Sequence, residues 1–409
     1  MNDQTDIAKA PQSPEPAADP LPAGREDGRL ATILQVIPAL GSGGGVERGT
    51  VEIAEAIVEA GGRAIVVSAG GAQVHELARV RAEHITLPVD SKNPWVMYAN
   101  IGRLAQMIRD HNVDLIHARS RAPAWSAYYA ARRAGRPFVT TFHGTYNTGN
   151  FLKRHYNSVM TRGERVIAIS QFIAEHIRRI YGVPASRLRI IHRGVDTYRF
   201  DPQKVSAERV VQLANDWRLT DGYPVIMLPG RLTRWKGQIV FIEAVAQLKR
   251  RDIRCLIVGG DQGRGEYRRE LESLVERHDL GEVVRIVDHC GDMPAAYMLS
   301  DVVVSASTDP EAFGRIVVEA QALGRPVVAT DHGGARETVI VDETGWLVPP
   351  GDPGALAAAM EKVLAMDAGA RAALSDAAIT NASEHFSKQT MCAKTLDVYN
   401  EVLEAAARD

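Results

Sequence analysis

A chain of 409 residues, 45% of them apolar, can bury two hydrophobic cores, because single domains stop growing near roughly 250–300 residues. A formal net charge of −2 argues against a general nucleic-acid binder, and Cys255, Cys290 and Cys392 form an odd set without metal-ligand spacing, read as reduced thiols. No uninterrupted apolar run approaches the ~20 residues that cross a bilayer, and the amino-terminal stretch lacks the layout of a signal peptide, so a cytoplasmic location is expected.

In chain order, residues 1–29 are rich in Pro, Ala, Asp and Glu with almost no large apolar side chains, the composition of a disordered tail. Then short β-branched runs alternate with helical patterns: Ile33–Ile37, a helix across Glu47–Ala60, Ala64–Val67, Leu115–His117, Phe138–Thr141 and Val166–Ile169. The alternation predicts a parallel sheet covered on both faces. Gly and Pro punctuate His192–Pro202, where an interdomain link is expected. A second series follows at Val225–Leu228, Cys255–Val258, Val284–Val287, Val302–Ser305, Val327–Ala329 and Trp346–Val348, and the periodic segment Gln389–Ala406 reads as a final helix. The reading divides the chain into the tail 1–29, an α/β domain 30–198, a second α/β domain 199–384 and a carboxy-terminal helix 385–409.

Charge is lopsided within that frame. From Arg119 to Arg199 there are fifteen Lys and Arg against Glu164, Glu175 and Asp196. The excess includes Asn150–Met160, a candidate basic amphipathic helix. Such segments are drawn to anionic lipid headgroups by about 1 kcal/mol per cation, so an anionic membrane surface or an anionic acceptor is an expected partner.

The most informative stretch runs from Glu311 to Glu319. Its two carboxylates bracket a Phe-Gly turn and the start of an apolar helix. A loop carboxylate can hold sugar hydroxyls, and one two turns into the helix can hold a ribose. Between them the free N–H groups of Gly314, Arg315 and Ile316 make a phosphate cradle. About eighty residues upstream, Arg231 and Lys236 flank a glycine turn after an apolar strand, giving two cations that can reach a diphosphate from two sides.

These residues carry a family resemblance. Gly-Arg-x4-Lys-Gly, Glu-x7-Glu, Gly333-Gly334-x2-Glu337 and Gly345-Trp346-Leu347-Val348, together with Gly43-Gly44-Gly45-Val46-Glu47-Arg48, Thr141-Phe142-His143-Gly144 and Arg193-Gly194-Val195-Asp196, resemble the retaining glycosyltransferases of family 4 from about Thr32 onward. The resemblance implies the GT-B fold, two Rossmann-like domains facing a central cleft, with acceptor bound by the first domain and donor by the second. It implies that Arg231 and Lys236 neutralise the donor diphosphate, Glu311 holds donor-sugar hydroxyls, Glu319 holds the ribose, and Gly44, Gly45, Phe313, Gly314, Arg315 and Ile316 complete the donor site. His143 is read either as a buried histidine at a strand end or, by the resemblance, as an imidazole or backbone carbonyl beside the anomeric centre. Glu47 and Arg119 are placed on the acceptor side, and His289 near the base.

The expected activity is transfer of a hexose from a UDP- or GDP-sugar, with retention, to a glycan or glycolipid acceptor of the cell envelope such as lipopolysaccharide core, at the inner face of the cytoplasmic membrane. A soluble disaccharide or glucan synthase and a silent nucleotide-sugar-binding subunit are the alternatives. No cofactor or metal is expected, since the chain has no Asp-x-Asp and its histidines lack ligand spacing. A nicotinamide site is disfavoured because the first glycine loop lacks the last glycine of the dinucleotide fingerprint. One departure stands out: the junction reads His192-Arg193-Gly194, where the family often has Pro-Asn-Gly.

Overall fold

Strands buried on both faces read as continuous aliphatic runs and pair in parallel beneath helices, and that is what these sequences build. The computed structural model describes residues 30–41, 44–146, 149–263 and 265–408. The tail 1–29 and Gly43 lie outside the described residues. The first sheet contains β1 (Thr32–Val36), β2 (Arg63–Ser68), β3 (Glu83–Thr86), β4 (Leu115–Ala118), β5 (Phe138–Phe142), β6 (Arg165–Ala168) and β7 (Leu188–Ile190) in the order β3-β2-β1-β4-β5-β6-β7. The second contains β8 (Val225–Pro229), β9 (Arg254–Val258), β10 (Val284–Val287), β11 (Val302–Ser305), β12 (Val327–Thr330) and β13 (Gly345–Val348) in the order β10-β9-β8-β11-β12-β13. Strand pairing is parallel throughout, as in β1 with β4 and β8 with β11.

Both sheets are Rossmann-like, and each reverses its strand order once. In open α/β sheets ligands bind beyond the carboxyl ends of strands at that reversal. The reversals fall between β1 and β4 and between β8 and β11, and the loops leaving those four strands carry Gly44, Arg119, Arg231 and Glu311.

The amino-acid pattern does not announce β3 and β7. They are the outer strands on the two sides of the first sheet, and β3 reads Glu-His-Ile-Thr with no fully buried residue. An edge strand lacks the two-sided burial that makes a central strand aliphatic.

The chain crosses between the halves twice, at adjacent points. Val195 forms a parallel bridge with Ser387; its N–H donates to the Phe386 carbonyl at 2.7 Å, and the Lys388 N–H donates to the Val195 carbonyl at 2.8 Å. The last helix, Lys388–Arg408, therefore returns to the first half. Its Met391, Cys392, Leu396, Tyr399 and Val402 pack in one cluster with Ile33, Ile53 and Ile57. Tyr399 Oη meets His117 Nδ1 at 2.6 Å, and Glu401 pairs with Arg165 at the start of β6 and with Arg189 in β7.

The basic segment is helical over Phe151–Asn157, with the Asn150 side chain accepting from Lys153 N–H, and continues as a tight turn Ser158–Thr161. Phe151 and Leu152 are 79% and 75% exposed. Among the described residues no helix is long and apolar enough to cross a membrane.

Candidate active site

The loop after β11 folds so that Glu311 turns inward. Its Oε1 accepts from Lys236 Nζ at 2.7 Å, from Ser307 Oγ and from Ser305 Oγ at 3.4 Å. The two charged side chains are only 11% and 15% exposed. Burial alone would push the Glu311 carboxyl up, but Lys236 and the two serine hydroxyls outweigh it and hold the carboxyl below its ordinary value. The sequence placed Lys236 and Glu311 on different parts of a donor; here they are one buried ion pair, and the serines that support it had no motif to reveal them.

A second loop clamps this one. Gly334 N–H donates to the Glu311 carbonyl at 2.9 Å, and Gly333 has φ +59° with its open side 2.3 Å from that same carbonyl. Any side chain at Gly333 would meet both backbone strain and a clash. The Gly333-Gly334 pair thus supports Glu311 from behind.

Gly314, in the left-handed region at φ +80°, starts the helix Arg315–Ala322 without a side-chain cap. The first closing bond is Val317 N–H to the Gly314 carbonyl at 3.0 Å. Among the described residues the amides of Gly314, Arg315 and Ile316 have no backbone acceptor, which leaves them open to an anion. Gly230 lies between Lys236 and Ile316, within 3.6 and 3.9 Å of them as measured from where a Cβ would stand. Glu319, one turn on, receives the Tyr297 hydroxyl at 3.0 Å and lies 3.3 Å from Arg315 Nη2.

Phe313, expected in the donor site, buries its side chain. It is 3% exposed, with its ring centroid 5.9 Å from that of His192 and 5.7 Å from that of Phe386. An aromatic ring gains more by leaving water than by lining a polar cleft, so its side chain seals the hinge region. Arg231 is exposed, its carbonyl held by Gln238 Nε2 at 2.9 Å, and its guanidinium has no ion-pair partner among the described residues. His289 lies exposed beyond β10, apart from these contacts.

From the first half, the helix Gly45–Glu59 starts at Gly44 without a side-chain cap. A Cβ on Gly45 would stand 3.3 Å from Arg315 Cδ, and one on Gly44 would strike the Glu47 carboxylate. The glycine loop therefore faces the amino end of the Arg315–Ala322 helix across the cleft, with Glu47 folded over Gly44. His143, just past β5, has its Nδ1 2.9 Å from Arg193 Nη2. A guanidinium can only donate, so Nδ1 accepts and the neutral ring carries its proton on Nε2. Burial, then Arg193 and Arg119, keep the imidazole well below its ordinary pKa. Arg193 itself is pushed down to about 9 by burial, with Arg119 and Arg315 adding to the effect. The sequence marked Arg193 at the junction, within the family pattern and as a departure from it; its place against His143 was not legible.

The halves are also tied directly. Glu337 accepts from the Gln171 and Phe172 N–H groups at 2.7 and 2.8 Å, capping the helix Gln171–Tyr181 of the first half, and meets His192 Nε2 at 2.9 Å. Ser170 Oγ donates to the Ala312 carbonyl at 2.6 Å.

Two parallel Rossmann-like sheets, with their switch-point loops facing one cleft, define a GT-B glycosyltransferase. Residues 43–199 match the model of Glycosyltransferase Family 4 and residues 212–382 that of Glycosyl transferases group 1. A D-inositol 3-phosphate glycosyltransferase of Xylanimonas cellulosilytica is 32% identical over 70% of this chain and 71% of its own length. A glycosyltransferase of Rickettsia africae superposes with a TM-score of 0.86 at 38% identity, covering 91% of this chain and 99% of that one. HepE of Anabaena, solved with UDP and glucose, superposes with a TM-score of 0.78 at 26% identity over 90% of this chain and 98% of its own. The chain belongs to glycosyltransferase family 4, and its activity is glycosyl transfer.

Proposed function

We propose that this enzyme moves a hexose from a UDP- or GDP-sugar to a cell-envelope glycan or glycolipid, with retention and without a metal. The observation that carries the reading is the buried Lys236–Glu311 pair beside the uncapped amino end of Arg315–Ala322. One carboxylate, one ammonium and a row of free amides meet the needs of a sugar joined to a diphosphate. HepE, crystallised with UDP and glucose, supports the donor class.

In this reading Arg231, Lys236 and the amides of Gly314, Arg315 and Ile316 take up the charge that grows on the departing diphosphate, with Gly44 and Gly45 approaching it from the other half. Glu311 holds sugar hydroxyls and Glu319 the ribose. The bond from the anomeric carbon to the diphosphate oxygen breaks while the acceptor oxygen bonds to the same face, and the acceptor proton passes to the departing phosphate oxygen. His143, neutral and with Nδ1 occupied, contributes through Nε2–H or its carbonyl and does not take the proton at Nδ1. Exposed Phe151 and Leu152 beside Lys153 and Arg154 support docking on an anionic membrane at the cytoplasmic face.

A thermal-shift screen against UDP-, GDP- and ADP-sugars tests the donor, because a ligand of the folded state raises stability by mass action. A selective rise with a UDP- or GDP-sugar, followed by transfer of its hexose, is expected; no rise with any of them would overturn the reading. Trapping a covalent sugar on a carboxylate of this chain would refute same-face attack.

A further inference from the structure

Two buried arginines sit where the donor reading has no work for them. Arg119 leaves β4, its N–H fixed to the Val36 carbonyl at 2.9 Å, and is 3% exposed. Among the described residues its buried Nε has no hydrogen-bond partner. Arg193, at the crossing after β7, is 6% exposed, and the hydrogen bond to His143 Nδ1 uses one of its nitrogens. Both guanidiniums converge on Gly49, one turn into the helix Gly45–Glu59. A Cβ there would fall 2.5 Å from Arg193 Nη1 and 3.2 Å from Arg119 Nη2, so the two cations take the space that a side chain at this helix position would need.

Charge around them is unbalanced. Among the described residues neither Arg119, Arg193 nor Arg48 forms an ion pair with a carboxylate. Glu52 is the buried acid among them, and burial pushes its carboxyl up even though Arg315, Arg48 and Arg193 pull it down. Arg48, Arg119, Arg193 and Arg315 face Glu52, Glu47 and the Glu319 that Arg315 already meets. Four guanidiniums against three carboxylates leave an excess of positive charge out of water, which is costly unless a ligand supplies an anion. Guanidinium forks from two directions suit a tetrahedral phosphate better than a neutral sugar hydroxyl.

We propose that Arg119 and Arg193 form a subsite for a phosphate carried by the acceptor, so that the acceptor is a phosphorylated sugar or a phospholipid-linked one. The inference rests on the donor reading, since the cations of the second half serve the donor diphosphate and these two come from the first half, with Arg193 against His143.

The test uses the full chain saturated with UDP or GDP, whichever stabilises it, and titrates inorganic phosphate against chloride of matched ionic strength while following the melting temperature. A saturable rise on top of the nucleotide shift is expected. Arg193→Gln and Arg119→Gln should weaken phosphate by roughly 10- to 100-fold, the factor one lost charge-assisted hydrogen bond carries, while keeping the nucleotide shift that shows they fold. Arg193→Lys should recover part of the loss, and supplies a folded variant if the glutamine form does not fold. With transfer established, KM for a phosphorylated acceptor should rise by the same factor in Arg193→Gln, and KM for its dephosphorylated form should not.

No phosphate response in the nucleotide-bound enzyme would overturn the proposal. So would a response that the nucleotide abolishes, since phosphate would then have occupied the donor subsite, or one unchanged in both glutamine variants. Failure of every nucleotide to bind strikes the donor reading instead; a nucleotide response without an arginine-dependent phosphate response strikes this proposal alone.

Discussion

Replacing Lys236 by Met tests the buried ion pair as physics and as function in one experiment. At about 3 Å and an effective dielectric near 20, the Lys236–Glu311 attraction is on the order of 5–6 kcal/mol, most of it offset by the desolvation of both groups. Removing one partner from a buried pair costs about 3–5 kcal/mol. In Lys236→Met the stranded Glu311 can escape by taking a proton. For an ordinary carboxyl of pKa 4.5 that limits the penalty to about 5 kcal/mol at pH 8, and to under about 1 kcal/mol at pH 5, at about 1.4 kcal/mol per pH unit.

The sign follows from the two states. In the native protein the Glu311 pKa is depressed, so its stabilisation is present above the ordinary carboxyl value and lost as pH falls through the folded one. In the variant burial acts alone, the folded pKa is raised, and the penalty grows as pH rises. Differential scanning calorimetry should therefore show Lys236→Met melting roughly 6–20 °C below the parent at pH 8 and close to it at pH 5. Lys236→Met combined with Glu311→Leu should recover most of the stability, because an apolar pair can replace a buried ionic one, yet remain inactive. A loss equal at both pH values, or a double variant no more stable than the single, would refute the reasoning.

Three further outcomes are expected. Tyr399→Phe removes the hydroxyl from His117 Nδ1 at 2.6 Å and strands a buried ring nitrogen, so urea unfolding should lose about 1–3 kcal/mol; a change below a few tenths would show that the ring finds another partner. Glu337→Ala uncaps Gln171–Tyr181 and frees His192, lowering stability by about 1–2 kcal/mol and loosening the two halves, which small-angle scattering reads as a larger radius of gyration; unchanged scattering would remove Glu337 as a clasp. His117 and His143 are both held well below the ordinary pKa of 6.5, chiefly by burial. Their contribution is therefore complete above pH 6.5 and lost as pH falls below it, at about 2.7 kcal/mol per unit once both protonate in the unfolded chain. A stability flat from pH 6.5 to 5.5 would mean that these rings take up protons while folded.

The central strands were legible because two-sided burial forces an aliphatic run. Val302–Ser305 and Val225–Leu228 fill β11 and all but the last residue of β8. β3 and β7 were not, because an edge strand is free to be polar. In the candidate site, Arg231, Lys236, Glu311 and the helix start at Gly314 stand close in sequence to a glycine turn or to one another, and local spacing makes them candidates. Ser305, Ser307 and Tyr297 act through contacts that have no spacing signature. Phe313 adds a point that its motif position did not carry: its ring is buried against His192 and Phe386 at the hinge.

Arg193 illustrates why a departure from a pattern can be more informative than a match. At the junction an uncharged residue would only need to turn the chain; an arginine in that place must either reach water or find a reason to stay inside. It stays inside, 6% exposed, donating to His143 and crowding Gly49. Its charge lowers the His143 pKa, so the same side chain that would receive an acceptor phosphate also fixes the tautomer of the histidine beside the cleft. A bound phosphate would offset that charge and raise the His143 pKa, linking acceptor recognition to the state of the ring. NMR titration of the His143 imidazole with and without inorganic phosphate reads this directly: an upward shift is expected in the parent and none in Arg193→Gln, whereas a pKa insensitive to phosphate in both would separate the arginine from the histidine.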